Sequence, residues 1–420
     1  MSISKRLSEG YKASPLGPIP NDWDCVPLKS TGKIGTGSTP ETENKSYWID
    51  GDIPWLPTGK VNDGIITKCE TFITKKALQE KSIDLLPPGS LLIAMVGQGQ
   101  TRGKAALLRM RAWVNQNFAY LIPNSKVDSQ FLYFVLKSSY DRIRYEGNRG
   151  GNQGSLNGQI VKNLRVILPP INEQTAIADL LGTWDKAINT LTQLVGQKEL
   201  RKKWLMQQLL TGKKRLKGFK DEWKEYHISD LFERVTRRNT DGNTNIVTIS
   251  AQRGFVKQDD FFNKVVASEI TENYFLVKHG EFCYNKSYSN GYPWGATKRL
   301  KDFDEAVVTT LYICFSIKNK KLSSGDFFES FFEANLLDRG LTKIAHEGGR
   351  AHGLLNVTPS DFFSLKVRVP EVEEQKAIAS FLSMINEELK HLLQKEECLK
   401  DQKRGLMQIL LTGKKRLITK

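Results

Sequence analysis

Cysteine is scarce in this chain and poorly spaced for chemistry. The thiols at Cys25, Cys69, Cys283, Cys314 and Cys398 include no Cys-x-x-Cys pair, which argues against a zinc site and against a disulfide framework. Reduced, mostly buried thiols are expected. Long apolar runs are missing as well: the longest is LLIAMV at 91–96, far short of the roughly 20 residues that span a bilayer. The first thirty residues hold no apolar core of signal-peptide length, so the reading is a soluble, cytoplasmic protein with no membrane partner. Acidic residues are under-represented, 46 against 62 Lys and Arg, and the resulting net charge of +16 favours a polyanionic partner, most simply nucleic acid, with a membrane surface as the competing reading.

Catalytic signatures are absent too. His227, His279, His346, His352 and His391 have no spacing that suggests a metal or a base. VGQGQTRGKA (96–105) resembles a phosphate-binding loop, but five residues separate Gly97 from Gly103 where that motif needs four. Ala105 also stands where a magnesium-binding hydroxyl belongs. IGTGSTP (34–40) is a lone Gly-x-Gly and reads as a turn. No Asn-Pro-Pro-Tyr-like phrase is present, and Glu43-Asn44-Lys45 and Glu222-Trp223-Lys224 match only the degenerate half of a nuclease motif. No catalytic, cofactor-binding or metal-binding residue is therefore assigned.

What the chain does have is a repeat. LMQQLLTGKKRL (205–216) and LMQILLTGKKRL (406–417) agree at eleven of twelve positions, and an offset of 201 aligns 173–216 with 374–417 without a gap, twenty of forty-four positions being identical. A tryptophan opens each half, in NDWDCVPL and DEWKEYHI. The chain therefore reads as two tandem units, each a variable block followed by a shared segment. The shared segments have helical periodicity. Ile177, Leu180, Trp184, Ala187, Leu191 and Leu194 fall on one face in the first, and Ile378, Phe381, Ile385, Leu392, Leu399 and Leu406 in the second. Pro169-Pro170 and Pro370 bar extension upstream, while Gly212 and Gly413 suit C-terminal caps. Such rods are not stable alone in water; the nearest apolar partner of each is the other, which predicts an antiparallel pair, the alternative being that each helix packs on its own domain.

The variable blocks read as mixed. Residues 90–122 and 277–317 look like strands broken by glycine-rich turns, with helices at 131–146 and 326–345. The expected fold is α+β: two mixed α/β domains separated by two long antiparallel helices, a coiled-coil spacer, in a pseudo-twofold tandem repeat. The expected segments are an N-terminal stretch (1–20), a first variable domain (21–170), a first spacer helix (171–211), a linker (212–222), a second variable domain (223–370), a second spacer helix (371–412) and a basic tail (413–420).

Four loops combine glycine with side chains suited to base edges and phosphates. Gln98, Gln100, Arg102 and Lys104 stand at a strand turn in the first block. Asn285, Lys286, Tyr288, Asn290, Tyr292 and Trp294 occupy one glycine-rich stretch in the second. Arg149, Asn152, Gln153 and Asn157 precede the first shared helix, and Arg350 and His352 precede the second. All sixteen are candidate DNA contacts.

The doubled EQ-x-AIA and L-M-Q-x-LLTGKKRL segments, the glycine-rich approaches to NLRVILPPINEQ and HGLLNVTPSDFFSLKVRVPEVEEQ, and the opening PLGPIPNDW together resemble the specificity subunit of type I restriction-modification enzymes, over essentially the whole chain. The resemblance implies two target-recognition domains that each read one half of a bipartite, asymmetric DNA site, with the helices setting the spacer. It implies two methyltransferase (modification) subunits docked on the helices, and separate restriction/motor subunits. S-adenosylmethionine, ATP and magnesium would then belong to those partners and none to this chain. The readings set against it are a bivalent DNA-binding scaffold and a stand-alone methyltransferase or nuclease with an unrecognised site.

Overall fold

The computed structural model describes residues 9–81, 84–97, 101–147, 156–258, 271–347 and 355–417. The chain divides into two compact units, Met1–Leu191 with Lys395–Lys420, and Thr192–Gln394. Each unit thus contains part of both long helices, which span Ile171–Leu209 and Val372–Leu410.

The two helices run antiparallel. In the first unit Lys403 pairs with Asp185, and further along Arg416 pairs with Glu173. In the second unit Lys198 pairs with Glu388, and Arg215 with Glu374. In both, rising residue numbers on one side meet falling numbers on the other.

The predicted stripes are met in part: Ile177, Leu191 and Ile378 are buried and Trp184 is half-buried. Ala187 is exposed, and Leu194 keeps 39% of its surface. Beside them a buried row recurs every seven residues: Gln174, Leu181, Ile188 and Val195 in the first helix, and Gln375, Leu382, Leu389, Glu396, Lys403 and Leu410 in the second. That spacing is the coiled-coil period. A hydrophobicity stripe misses it because the rows carry polar residues, whose burial depends on partners the linear pattern does not display.

Outside the helices the largest sheets of the two units share one order over four strands. The first unit has a sheet ordered Gly32–Thr36, Phe118–Pro123, Leu91–Ala94, Ala105–Leu108 and Ile65–Ile66, antiparallel except for the last pair. The second has Phe232–Arg234, Ile313–Ile317, Phe282–Asn285 and Ala296–Arg299, antiparallel throughout. Each unit also has a two-stranded ribbon at its entry, Asp24–Pro27 with Arg165–Leu168 and Lys224–His227 with Lys366–Val369. The repeat thus runs through the variable blocks, where the letters do not show it. Each predicted helix of those blocks is two. Ser139 separates Ser129–Ser138 from Tyr140–Glu146, and a turn with Asn335 at φ 57° separates Gly325–Glu333 from Asp338–Ile344.

The repeated phrase closes each unit by a common arrangement. Gly212 and Gly413 adopt φ of 70° and 72°, their amides donate to Leu209 O and Leu410 O, and the amides of Lys214 and Lys415 donate back to Gln208 O and Ile409 O, so that each helix ends on a left-handed glycine cap. The chain then turns so that an arginine reaches a buried glutamate. Arg215 binds Glu374 through Nε at 2.6 Å and lies 5.9 Å from the Trp223 ring centroid, while Trp223 Nε1 donates to the same carboxylate. Arg416 binds both Glu173 and Asp22 and lies 5.5 Å from the Trp23 ring centroid, while Trp23 Nε1 donates to Glu173 at 3.0 Å. The carboxylates hold the Arg416 guanidinium in its charged form, and Arg416 holds the Asp22 carboxyl below its usual range.

A methyl group does not fit at the second cap. A Cβ on Gly413 would sit 2.5 Å from Pro20 Cδ and 3.1 Å from the Trp23 ring. Gly413→Ala is therefore expected to destabilise the first unit by about 1 to 3 kcal/mol, through the left-handed φ and the clash together. Urea unfolding followed by amide exchange in 11–27 would register it, and a parental midpoint would contradict the close approach.

Candidate nucleic-acid interface

The loops that the sequence offers as DNA contacts follow corresponding strands. Leu91–Ala94 leads into 95–97, with the turn at 101–104 beyond, and Phe282–Asn285 leads into 286–295. In each unit the segment preceding the long helix is tied to that turn by one backbone bond. Leu156 N donates to Met95 O at 3.1 Å, and Leu355 N donates to Lys286 O at 3.0 Å. The fold thus brings together, within each unit, two loops far apart in the chain.

The individual candidates fare differently. Gln98, Gln100, Arg149, Asn152, Gln153, Arg350 and His352 lie outside the described residues. Arg102 is only 7% exposed, because its turn folds back on itself: Arg102 N donates to Gly97 O, Gly103 N to Ala94 O, and Thr101 Oγ1 to Val96 O. Lys104 Nζ donates to Asn62 Oδ1 at 2.7 Å. Asn157 spends its side-chain oxygen capping the helix Gly158–Asn163 through Ile160 N.

In the second unit Asn285 Oδ1 accepts from Ser287 N, holding the turn. Lys286 donates to Val357 O at 3.4 Å, and burial pulls its pKa down. Tyr292 donates to Glu333 at 2.6 Å and accepts from Lys298; burial, then that hydrogen bond, raises its pKa. Trp294 is half-buried against the aromatic core, and its carbonyl accepts from Tyr284. Tyr288, 65% exposed, and Asn290 face solvent. Of this loop, then, Tyr292 and Trp294 support the turn and Tyr288 and Asn290 are free to meet a ligand.

A third turn joins that site which the sequence reading passed over. Strands Val247–Ser250 and Gly254–Lys257 form a hairpin whose tip is 251–253. Gln252 Nε2 donates to Asn290 O at 2.9 Å, setting the two tips side by side. Arg253 beside it is exposed, with no side-chain hydrogen bond or ion pair among the described residues. The local signal was legible, AQRG between two β-like runs, but only the fold places it against a residue 38 positions on.

Comparison with known proteins decides the family. The model of the type I restriction modification DNA specificity domain matches twice, at residues 20–200 and 220–399. The chain belongs to that family. The MjaIX specificity subunit of a Methanocaldococcus jannaschii type I restriction enzyme is 32% identical over 190 residues, 44% of this chain and 43% of that one. Against that relative, the chain spans less than half the length. A second chain of that organism, assigned to the type I restriction enzyme MjaX, is 25% identical over 443 residues, 98% of each. Among solved structures, the type I restriction-modification S subunit of M. genitalium superposes with a TM-score of 0.54 at 13% identity, over 98% of both chains, a likeness of fold.

The two matched stretches leave out both GKKRL phrases, which begin at Gly212 and Gly413. Among the described residues no group of three or more His, Cys, Asp or Glu is placed to hold a metal, and no helix is long and apolar enough to cross a membrane.

Proposed function

We propose that this specificity chain is the non-catalytic DNA-recognition subunit of a type I restriction-modification system, in which each unit reads one half of a bipartite, asymmetric site. The observation that carries this reading is the doubled architecture with unlike loops. One strand order and one loop-to-loop hydrogen bond occur in both units, while the side chains presented are different. A shared frame with different contact residues suits two different half-sites on one duplex. The net charge of +16 supports phosphate contact, and the amide and aromatic side chains at the loop tips are of the kind that meet base edges.

The repeated helices suit two copies of one partner, the methyltransferase subunit, and set the spacer between half-sites. Restriction/motor subunits complete the assembly, and S-adenosylmethionine, ATP and magnesium are taken up by those partners. The site is cytoplasmic, where host DNA is methylated.

Methylated positions mapped in host DNA with and without this gene give the site itself. Arg253→Ala, Tyr288→Ala and Asn290→Ala, each assembled with the methyltransferase subunits, are then measured on a library randomised at every position of that site. A lost base contact costs about 1 to 3 kcal/mol at one position, so recognition should relax within one half-site and leave the other unchanged. Uniform weakening of every sequence would mean phosphate contact alone. Equal relaxation of both half-sites would overturn the assignment of one half-site to each unit.

A further inference from the structure

In both units a short helix is anchored to a long one by the same bond. Asp128 N donates to Gln174 Oε1 at 2.9 Å, and Ser324 N donates to Gln375 Oε1 at 2.8 Å. The two glutamines are repeat partners, 201 positions apart. These anchors put the helices Ser129–Ser138 and Gly325–Glu333 into register. Six residues beyond each anchor stand Phe134 in the first unit and Ser330 in the second.

The consequence falls on a lysine. In the first unit Lys403 is 5% exposed, lies 4.7 Å from the Phe134 ring centroid and pairs with Asp185. Burial pulls its pKa down, so the ring and the carboxylate are what make a charged amine tolerable there. Its repeat partner is Lys202, and the repeat partner of Asp185 is Asn386. The second unit therefore keeps the lysine and lacks both groups that receive it in the first. The space they would fill is open: Lys202, Ser330 and Asn386 line a groove of about 1040 Å³. Five carboxylates line the groove and each has a cation: Glu333 pairs with Lys298 and accepts from Tyr292, Glu388 pairs with Lys198, Asp326 with Arg299, Glu329 with Lys301, and Glu387 with Lys390. Lys202 has no ion pair among the described residues. Met384, 61% exposed, stands at the wall of the same groove.

We propose that this groove is a docking seat for an aromatic ring and a carboxylate carried by a methyltransferase subunit, the ring taking the place of Phe134 and the carboxylate that of Asp185 beside Lys202. The inference rests on the partner reading above. It makes the two docking faces unequal: the first unit fills its seat from within, whereas the second takes the missing pair from its partner. The partner copy at the second unit is bound with contacts the other copy lacks.

The test uses the full chain titrated with methyltransferase subunit and followed by native mass spectrometry. Ser330→Phe combined with Asn386→Asp fills the seat internally. The isolated variant should melt at a higher temperature, and one of the two copies should bind about tenfold more weakly or worse, with the other unchanged. Lys202→Glu, at a partly exposed position where folding is not at stake, should weaken the same copy without raising the melting temperature. Parental binding of both copies by both variants would overturn the proposal, as would equal weakening of the two. If the parent chain binds no methyltransferase subunit, the partner reading falls and this inference with it, a failure told apart because it precedes any substitution.

Discussion

Arg215→Met should cost the second unit about 3 kcal/mol of stability, because it strands a buried carboxylate. The side chain of Glu374 is 2% exposed and has two donors, the Arg215 guanidinium and Trp223 Nε1, the latter at 3.3 Å. Removing the guanidinium leaves one neutral donor against a full negative charge away from water. Glu374→Gln added to Arg215→Met should recover much of the loss, since the charge goes and the indole bond can stay. Arg416→Met should act likewise on the first unit through Glu173, whose side chain is 4% exposed. Urea unfolding of the full chain, with amide exchange read separately at 223–228 and 23–28, measures both. An Arg215→Met chain as stable as its parent would mean that this pair contributes nothing net to the fold. Lys213 and Lys214, which are exposed, should contribute little to stability by comparison.

Phe232→Ala should be equally costly, about 3 to 5 kcal/mol, and should abolish one half-site while sparing the other. Phe232 is 1% exposed at the edge of the four-stranded sheet, with ring centroids of Phe328, Phe315, Phe282 and Phe332 at 4.8, 5.2, 5.8 and 6.1 Å. Truncation would leave a cavity bordered by four rigid rings that cannot collapse into it. The strand carrying Phe282 ends at Asn285, where the candidate recognition turn begins, so slackened packing reaches the loop directly. Phe232→Leu should retain most of the stability and the half-site. Methylation across the randomised site provides the readout, and an unaltered second half-site in a destabilised Phe232→Ala chain would uncouple this core from recognition.

The repeat, the helices and their ends were legible in the linear sequence, because each rests on local chemistry. Prolines bar a helix upstream, glycine reverses the chain where a left-handed residue is needed, and apolar spacing of three and four marks a face. The face itself was misplaced by about one position, at Leu194 and Ala187, since buried Gln174, Glu396 and Lys403 belong to rows that hydrophobicity cannot flag. Glycine-rich, polar loops were likewise recognisable as candidate contacts. Whether a given member faces solvent was not: Arg102 is buried, Asn157 caps a helix and Tyr292 is held by Glu333, outcomes set by residues elsewhere in the chain.

The sequence by itself determined that the chain is a tandem pair built on repeated basic phrases, because an eleven-in-twelve identity survives without knowledge of any contact. Only the tertiary structure decided what those phrases do. Arg416 reaches Glu173 across 243 positions and Arg215 reaches Glu374 across 159, so the meaning of each arginine depends on a carboxylate that no local pattern associates with it. The same holds for Gln252 beside Asn290 and for the filled and open seats at Lys403 and Lys202. Propensity and periodicity act over a few residues, whereas burial and charge pairing are settled by whichever side chains the fold brings within a few ångströms.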